Sequence, residues 1–470
     1  MCDVARVAGP TGDELTPSRA AARSGPVALA LCGVQFVDVL GVTVVITALP
    51  RMLTDLGATT AEGTAIVTAY AMFFGGLLMV AARLGDRFGH RRTVLWSLGV
   101  FAAASVLGAL APSVWLLVAS RALQGVAAAA SVPAALRLLT TVVPDGPARR
   151  RAVAGWSAAG AAAGAAGFVV GGVLTEFASW RAVFWSTIGL AVVLAVAVLR
   201  TVPRDPPRPA PTAIGWPSAV LLTGAAMGLV AGTTLLGEHG AVLLGAGVTA
   251  FGALAAVGFA LVEGRARQPL VDAAARRAPV LRWGALGSFA NTATTSSSIT
   301  LAALVLQDDL RLTPLQAAGL LVTVSVLAVV GSALAPRLLG TLGWGPTLGC
   351  GLGTVAAGNL LLCGWPSVIG VGVASALCGL GLGIGSVAAN DMGTAVDEAI
   401  KATAAGVLNT AAQLGTAIGT SVVLLVAAVL DPRPAWAVAA ALAAVAGLLA
   451  ARRAPRARPR GAGRTAPVAG

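Results

Sequence analysis

One residue able to take up a proton and one fixed cation lie where charge is expensive. Asp38 falls about eleven residues into the apolar run 28–50, and Arg121 about eight residues into the apolar run 114–138. Ionisable groups inside such runs are rare and mark functional positions by default. Burial disfavours a charged carboxylate and a nearby guanidinium favours it, so a pair of this kind could bind and release a proton in step with another event. We read Asp38 as the protonation site and Arg121 as its electrostatic modulator. A buried structural ion pair, or an Asp38 held by backbone alone, is the competing reading. Gln124 and Gly125 follow Arg121 by three and four residues, on the same helical face. There Gln124 could hold Arg121 or simply pack helices together.

Other polar residues sit where lipid would not tolerate them. Asn291, Thr292, Thr294, Thr295, Ser296, Ser297 and Ser298 make seven polar positions in eight. This stretch is expected to face a cavity or to be locally unwound, with hydrogen bonding between helices as the alternative. Asn409 and Gln413 are one helical turn apart and are expected to line the cavity opposite. The candidate cavity set is therefore Gln124, Gly125, Asn291, Thr295, Asn409 and Gln413. Gly160, Gly164, Gly167 and Gly171 recur at three- and four-residue steps. Such a ridge lets helices approach closely; it serves either a bending, sealing helix or plain packing. Finally, the stretch ARLGDRFGHRR, Ala82 to Arg92, concentrates Arg83, Asp86, Arg87, Arg91 and Arg92 in a chain that is 11% charged, with Gly85 and Gly89 spaced through it.

Several chemistries are excluded. No Ser/His/Asp set and no Gly-rich loop followed by Lys-Ser/Thr occurs, so neither a hydrolase nor an ATP-driven pump is expected, and no cofactor. The two histidines, His90 and His239, are too few for a His-based metal site. Cys2, Cys32, Cys350, Cys363 and Cys378 lack paired spacing and read as small packing residues. Asp55, Glu62 and Glu176 read as solvated loop charges.

The elements that must position these residues are membrane helices. Apolar residues make up 57% of 470, and the mean hydropathy is +0.86. That much apolar surface cannot be hidden from water, so the chain is a polytopic membrane protein. The runs are about twenty residues long without period-two alternation, which favours helices over a barrel. Candidate spans are 28–50, 64–82, 93–111, 114–138, 152–174, 182–200, 216–236 and 240–262, then 283–306, 314–336, 344–363, 366–389, 403–429 and 434–451. Fourteen spans place both termini on one side.

Charge chooses the side. The net charge of +13 lies in loops and in the C-terminal tail, which fits the positive-inside rule rather than nucleic-acid binding. One loop set holds Arg83 to Arg92, Arg149, Arg150 and Arg151, Arg200, Arg204 and Arg208, Arg265 to Arg282, and Arg337. The opposite set holds Arg51, Arg181, Arg311 and Arg433, each near an acid. The arginine-rich set is expected in the cytoplasm, with both termini inside. Only the 390–401 loop, with Asp391, Asp397 and Glu398 against Lys401, leans the other way. The basic residues other than Lys401 and the two histidines are all arginine, which reads as base-composition bias rather than phosphate recognition.

Ala82 to Gly89, ARLGDRFG, and Pro336 to Gly343, PRLLGTLG, share Arg-Leu and the final Gly after 254 residues. Each follows the second span of a six-span half, a pattern that fits two halves related by a parallel repeat with substrate bound between them. This organisation predicts a cytoplasmic tail over 1–27 rather than a cleaved leader, a first six-helix bundle over 28–201, and a linker with two inserted helices over 202–282. A second bundle over 283–451 and a basic tail over 452–470 complete it.

On these residues the sequence resembles the major facilitator superfamily, and within it the fourteen-helix drug:proton antiporter family, over about residues 30 to 430. ARLGDRFGHRR is similar to the superfamily's signature between helices 2 and 3, with Ala82 at the first Gly and His90 at a basic position. RALQGVAAA, Arg121 to Ala129, resembles the helix 4 motif Arg-x-x-Gln-Gly. TAYAM, Thr68 to Met72, LVEGRARQPLVD, Leu261 to Asp272, and GVLNTAAQLGTAIG, Gly406 to Gly419, resemble the family's helix 2, its linker before helix 7, and its helix 11. The chain departs from the family at Phe168, where the antiporter motif has Pro, at Gly41, where helix 1 has Asp (Asp38 lies three residues earlier), and at Ile46, where it has Asn. The resemblance implies a monomeric exporter of drugs or antibiotics in the cytoplasmic membrane. Hydrophobic or amphipathic small molecules would leave in exchange for protons by alternating access, with Asp86 and its arginines as a gate. The alternatives are a facilitator or importer of a specific metabolite without proton coupling, and a transporter-derived membrane sensor.

Overall fold

The long apolar runs fold as helices because a bilayer leaves no other partner for their backbone groups, and short capped turns set where each run stops. A computed structural model describes residues 17–144, 146–205, 216–237, 240–266 and 269–455. The N-terminal tail up to residue 16, the Pro-rich stretch 206–215, His239 and the basic tail beyond 455 lie outside them.

The order is α1 (Pro17–Leu56), α2 (Thr60–Phe88), α3 (His90–Ala109), α4 (Val114–Val142), α5 (Pro147–Phe177), α6 (Trp180–Thr201), α7 (Trp216–Leu236) and α8 (Val242–Arg265). The short α9 (Ala273–Arg277) follows, then α10 (Pro279–Leu304), α11 (Pro314–Leu342), α12 (Trp344–Gly364), α13 (Val368–Gly393), α14 (Glu398–Val429) and α15 (Pro432–Arg453). All but α9 have at least twenty residues, enough for about 30 Å at 1.5 Å per residue. Fourteen long helices thus stand at the fourteen expected spans. Twelve are long and apolar enough to cross a membrane. The other two are α7, whose apolar stretch is Val220–Leu236, and α10, which carries the polar run. No strand occurs among the described residues. The protein is an all-α, multi-pass membrane protein.

Local chemistry explains the boundaries. Thr59 and Glu62 form a capping box at the start of α2, and Thr313 and Gln316 form another at the start of α11. Proline occupies the first turn of α5, α10, α11 and α15. One residue, Gly89 at φ 109°, joins α2 to α3, and one residue, Gly343 at φ 80°, joins α11 to α12. These are the final glycines of the two repeat copies. Only glycine adopts such angles without penalty, so the repeat preserves the residue that makes the turn.

The helices form two six-helix bundles. In the first, α1 packs on α5 and α6, α4 on α2 and α3, and α3 on α6. In the second, α10 packs on α13 and α14, and α12 on α13 and α15. The halves meet along two seams, α2 on α14 and α5 on α11. The inserted pair α7–α8 packs on itself, and α7 lies on both α2 and α14. Ala71, Met72, Ala226, Val230 and Ala417 form the apolar contact there, with the Thr223 hydroxyl donating to the Gly76 carbonyl at 3.1 Å.

At the face opposite the α2–α3 turn the halves are joined. One apolar core takes Leu49, Met52, Leu304 and Leu306 from both bundles. The Gln307 amide donates to the Thr47 carbonyl across 3.1 Å, and the Leu315 N–H donates to Glu176 Oε2 across 2.9 Å.

Candidate functional site

In the first bundle α1, α2 and α4 converge on a buried polar chain. Asp38 is 3% exposed and Arg121 1%. Among the described buried residues of the first six helices these are the only charged ones. They make no ion pair with each other. Ser131, on α4, donates its hydroxyl to Asp38 Oδ2 at 2.7 Å. Arg121 instead donates to Gln124 Oε1 at 2.7 Å and lies over the Tyr70 ring, 4.6 Å from its centroid. The Tyr70 hydroxyl donates to the main-chain carbonyl of Asp38 at 2.7 Å. Tyr70 therefore links the Asp38 backbone to the Arg121 guanidinium, touching one by its hydroxyl and the other by its face. Arg121 Nε is buried without a partner.

The chain continues outward. Gln124 Nε2 donates to the Ser105 hydroxyl at 2.8 Å, and the Thr187 hydroxyl reaches the same oxygen at 3.2 Å. Gln124 holds Arg121 while tying α4 to α3 and, through Ser105, to α6. Gly125 faces the Tyr70 carbonyl so closely that any Cβ there would collide with it; it sets the α2–α4 spacing that seats Tyr70 under Arg121.

The α2–α3 turn is built around Gly89. Asp86 Oδ1 lies 3.3 Å from His90 Nε2, one helical turn on, and Gly85 packs under that imidazole. The acid at the α3 N-terminus is Asp205, just beyond α6. Its carboxylate accepts from the Arg91 N–H at 3.1 Å and the Arg92 N–H at 3.3 Å, as negative charge should at a helix start. The Arg91 guanidinium donates to the Leu199 carbonyl at 3.0 Å, Arg87 lies over Phe88 at 5.4 Å, and Arg83 donates to the Pro269 carbonyl at 2.7 Å. Pro269 belongs to the segment between α8 and α9. That segment is pinned by Glu263, 2% exposed, which accepts from the Val271 N–H at 2.6 Å.

In the second bundle, α10 is an unbroken helix through 291–298; of the readings held for this run, unwinding is not met, hydrogen bonding between helices is, and Thr292 also lines a pocket. Its polar side chains bind neighbours. Asn291 donates to the Leu382 carbonyl and the Ser386 hydroxyl on α13, Thr292 donates to the Ala412 carbonyl on α14, Ser296 pairs with Thr416, and Ser298 donates to Asn359 on α12. Thr295 is buried with its hydroxyl unpaired. Asn409 lines a pocket of about 240 Å³ within this bundle. Gln413 packs against Gly75 at the α2–α14 seam.

The glycines of α5 serve two neighbours. Gly167 and Gly171 press on α1 at Thr43, Val44 and Thr47, and Gly160 faces Gln35. Gly164 faces Ser325 of α11, and Gly172 faces Ala318 and the Pro314 carbonyl. Phe168 is buried in the shared apolar core, and its carbonyl accepts from Thr47 at 3.5 Å.

Three acids read as solvated loop charges stand in helix-end turns, Asp55 and Glu176 exposed and Glu62 half-exposed, and each also holds a contact. Asp55 accepts from Trp180 Nε1 at 2.9 Å, Glu62 completes a capping box, and Glu176 joins the halves. The sequence reading missed Tyr70, Ser131, Ser105, Thr187, Asp205 and Glu263. Tyr70 carried two signals, as the only tyrosine of the chain and as a member of TAYAM, and Glu263 stood in LVEGRARQPLVD, but neither was singled out.

The model of the Major Facilitator Superfamily matches residues 31–213 and 284–469. The chain belongs to that superfamily. Its relatives include the cephamycin export protein of Amycolatopsis lactamdurans, 33% identical over 84% of this chain and 83% of that one. The lincomycin resistance protein of Streptomyces lincolnensis is 32% identical over 83% and 82%, and the tetracenomycin C resistance and export protein of Streptomyces glaucescens 32% identical over 91% and 81%. Among solved structures, an auto-inhibited peptide transporter of the POT family aligns with TM-score 0.66 at 17% identity, over 92% of this chain and 98% of that one. The human organic anion transporter TETRAN aligns with TM-score 0.61 at 16% identity, over 93% and 100%. These two likenesses concern the fold. As a facilitator-superfamily member the chain is a transporter-type membrane protein rather than an enzyme.

Proposed function

We propose that this facilitator-superfamily protein exports hydrophobic or amphipathic small molecules of the antibiotic type across the cytoplasmic membrane, in exchange for protons. In this reading the arginine-rich face and both termini are cytoplasmic and the protein works as a monomer. The observation that carries the proton step is Asp38 in its buried setting. Its side-chain partner is the Ser131 hydroxyl, a group that can donate to a carboxylate or accept from a carboxylic acid. The same contact therefore serves both protonation states without rebuilding the site. Tyr70 and Arg121 sit next to it, and Tyr70's helix α2 meets the second half at α14, so a change at Asp38 has a short route to the seam.

The relatives named for export and resistance support the cargo class, and the two packed bundles with joined ends support alternating access. In that scheme the joined face opens while the α2–α3 turn, with Arg83, Asp86, Arg87, Arg91 and Arg92 around Gly85 and Gly89, holds the other. Gly160, Gly164, Gly167 and Gly171 would let α5 slide between α1 and α11.

Everted membrane vesicles with an imposed pH gradient test the coupling. Ethidium should accumulate in vesicles carrying the native chain, accumulation should vanish when the gradient is collapsed, and Asp38→Asn should abolish it while leaving the protein inserted. Accumulation that survives loss of the gradient, or is unchanged in Asp38→Asn, would exclude proton antiport and leave a facilitator.

A further inference from the structure

We propose that the pocket inside the second bundle is a binding subsite for the uncharged, oxygen-rich part of a cargo molecule. Its walls are Ser288 and Thr292 on α10, Ser386 and Asn390 on α13, and Leu408 and Asn409 on α14. It is therefore contained in one half rather than shared between the two. It exists because α13 and α14 meet only sparsely while both pack on α10. Asn390 is exposed and lies in the last turn of α13, so the pocket opens toward the face that holds the α2–α3 turn.

The polar groups divide into those already used and those left over. Thr292 is spent on the Ala412 carbonyl, the Ser386 hydroxyl accepts from Asn291, and the Asn390 amide nitrogen donates to the Ser386 carbonyl. The Ser288 hydroxyl and the Asn409 carboxamide have no side-chain hydrogen bond among the described residues, and Ser288 is 6% exposed. Asn409 is half-buried, so its carboxamide is open to whatever fills the pocket. A hydroxyl and a carboxamide left open in a pocket of about 240 Å³ are what a ligand would complete.

Both groups donate and accept, so they match hydroxyl, carbonyl and amide groups. No residue lining the pocket is ionisable. Asp391, next to Asn390 in sequence, accepts from Trp344 Nε1 at 2.8 Å and so faces α12. An ammonium or carboxylate entering the pocket would give up part of its water without gaining a counter-charge, which is costly unless paired. The subsite thus selects neutral, hydrogen-bonding surfaces. Buried charge is held in the other half, at Asp38 and Arg121.

This inference rests on the export reading for the arrival of cargo, but binding tests it directly. Radiolabelled chloramphenicol, uncharged with two hydroxyls and an amide, and ethidium, a permanent cation, are titrated onto the purified full-length protein in nanodiscs. Asn409→Ala should weaken chloramphenicol binding about tenfold, the size expected when one or two hydrogen bonds to a ligand are removed, and leave ethidium binding within about twofold. Ser288→Ala, a smaller change that keeps a folded core even if Asn409→Ala does not, should weaken chloramphenicol alone, by a smaller factor. Absence of chloramphenicol binding to the native protein, unchanged affinity in both variants, or equal loss for both ligands overturns the subsite. Export failing in vesicles while the selective binding loss persists would sink the transport reading and leave the subsite standing.

Discussion

Tyr70 is the residue on which the first bundle's polar chain turns. Its hydroxyl serves the Asp38 carbonyl and its ring underlies Arg121, so the two roles can be separated. Tyr70→Phe should keep the stacking and lose one buried hydrogen bond, costing about 1 kcal/mol of stability, read as a small fall in melting temperature of the detergent-solubilised protein. Tyr70→Leu should also strip the ring from a buried guanidinium, worth about a further 2 kcal/mol when desolvated, and should abolish export. Equal melting temperatures for the two variants would show that the ring adds nothing. Asp38 and Arg121 were legible in the sequence because charge inside an apolar run is rare. The absence of a direct ion pair between them was not, since spacing along one helix says nothing of what the next helix puts between two groups. Ser131, an ordinary serine in an Ala-rich helix, offered no signal of its partner.

At the scale of elements, the fourteen long helices were readable because bilayer thickness fixes their length and apolar composition fixes their place. The state of α10 was not. Thr294, Ser297, Ser298 and Thr300 each donate to the carbonyl four residues back, which satisfies their hydroxyls without unwinding the helix. Asn291, Thr292 and Ser296 then tie it sideways to its neighbours. Packing against α5 makes a sharper test. A side chain at Gly171 would meet the Val44 carbonyl and the Thr47 hydroxyl, both fixed by α1, whereas one at Gly160 would meet the flexible end of Gln35 at 3.2 Å. Gly171→Val should therefore cost about 1–3 kcal/mol through overpacking and lower both melting temperature and export. Gly160→Ala should leave both near native values. Similar losses at the two sites would mean that α5 tolerates no change for reasons other than its contact with α1.

For the molecule as a whole, the joined face is the place to perturb the balance between states. Two polar links cross it, Gln307 to Thr47 and Leu315 to Glu176, over an apolar core drawn from both bundles. A conformational equilibrium responds to any change that weakens contacts in one state alone. Glu176→Ala combined with Gln307→Ala should expose this face more often. A Leu49→Cys reporter, at a position 1% exposed, would then react severalfold faster with a membrane-impermeant maleimide. Labelling no faster than in the doubly unmutated reporter would show that the apolar core alone holds the face shut. Sequence offered Glu176 only as a loop charge, because its partner is a backbone N–H in the other half, 139 residues away.

The position of α7 makes the molecule unequal toward the bilayer. Of the two seams between the halves, α7 lies over α2–α14, while among the described residues neither inserted helix makes a substantial contact with α5 or α11. Under the export reading, one seam is then covered by protein and the α5–α11 seam, beside the glycines that let those helices touch, is the one left facing the lipid.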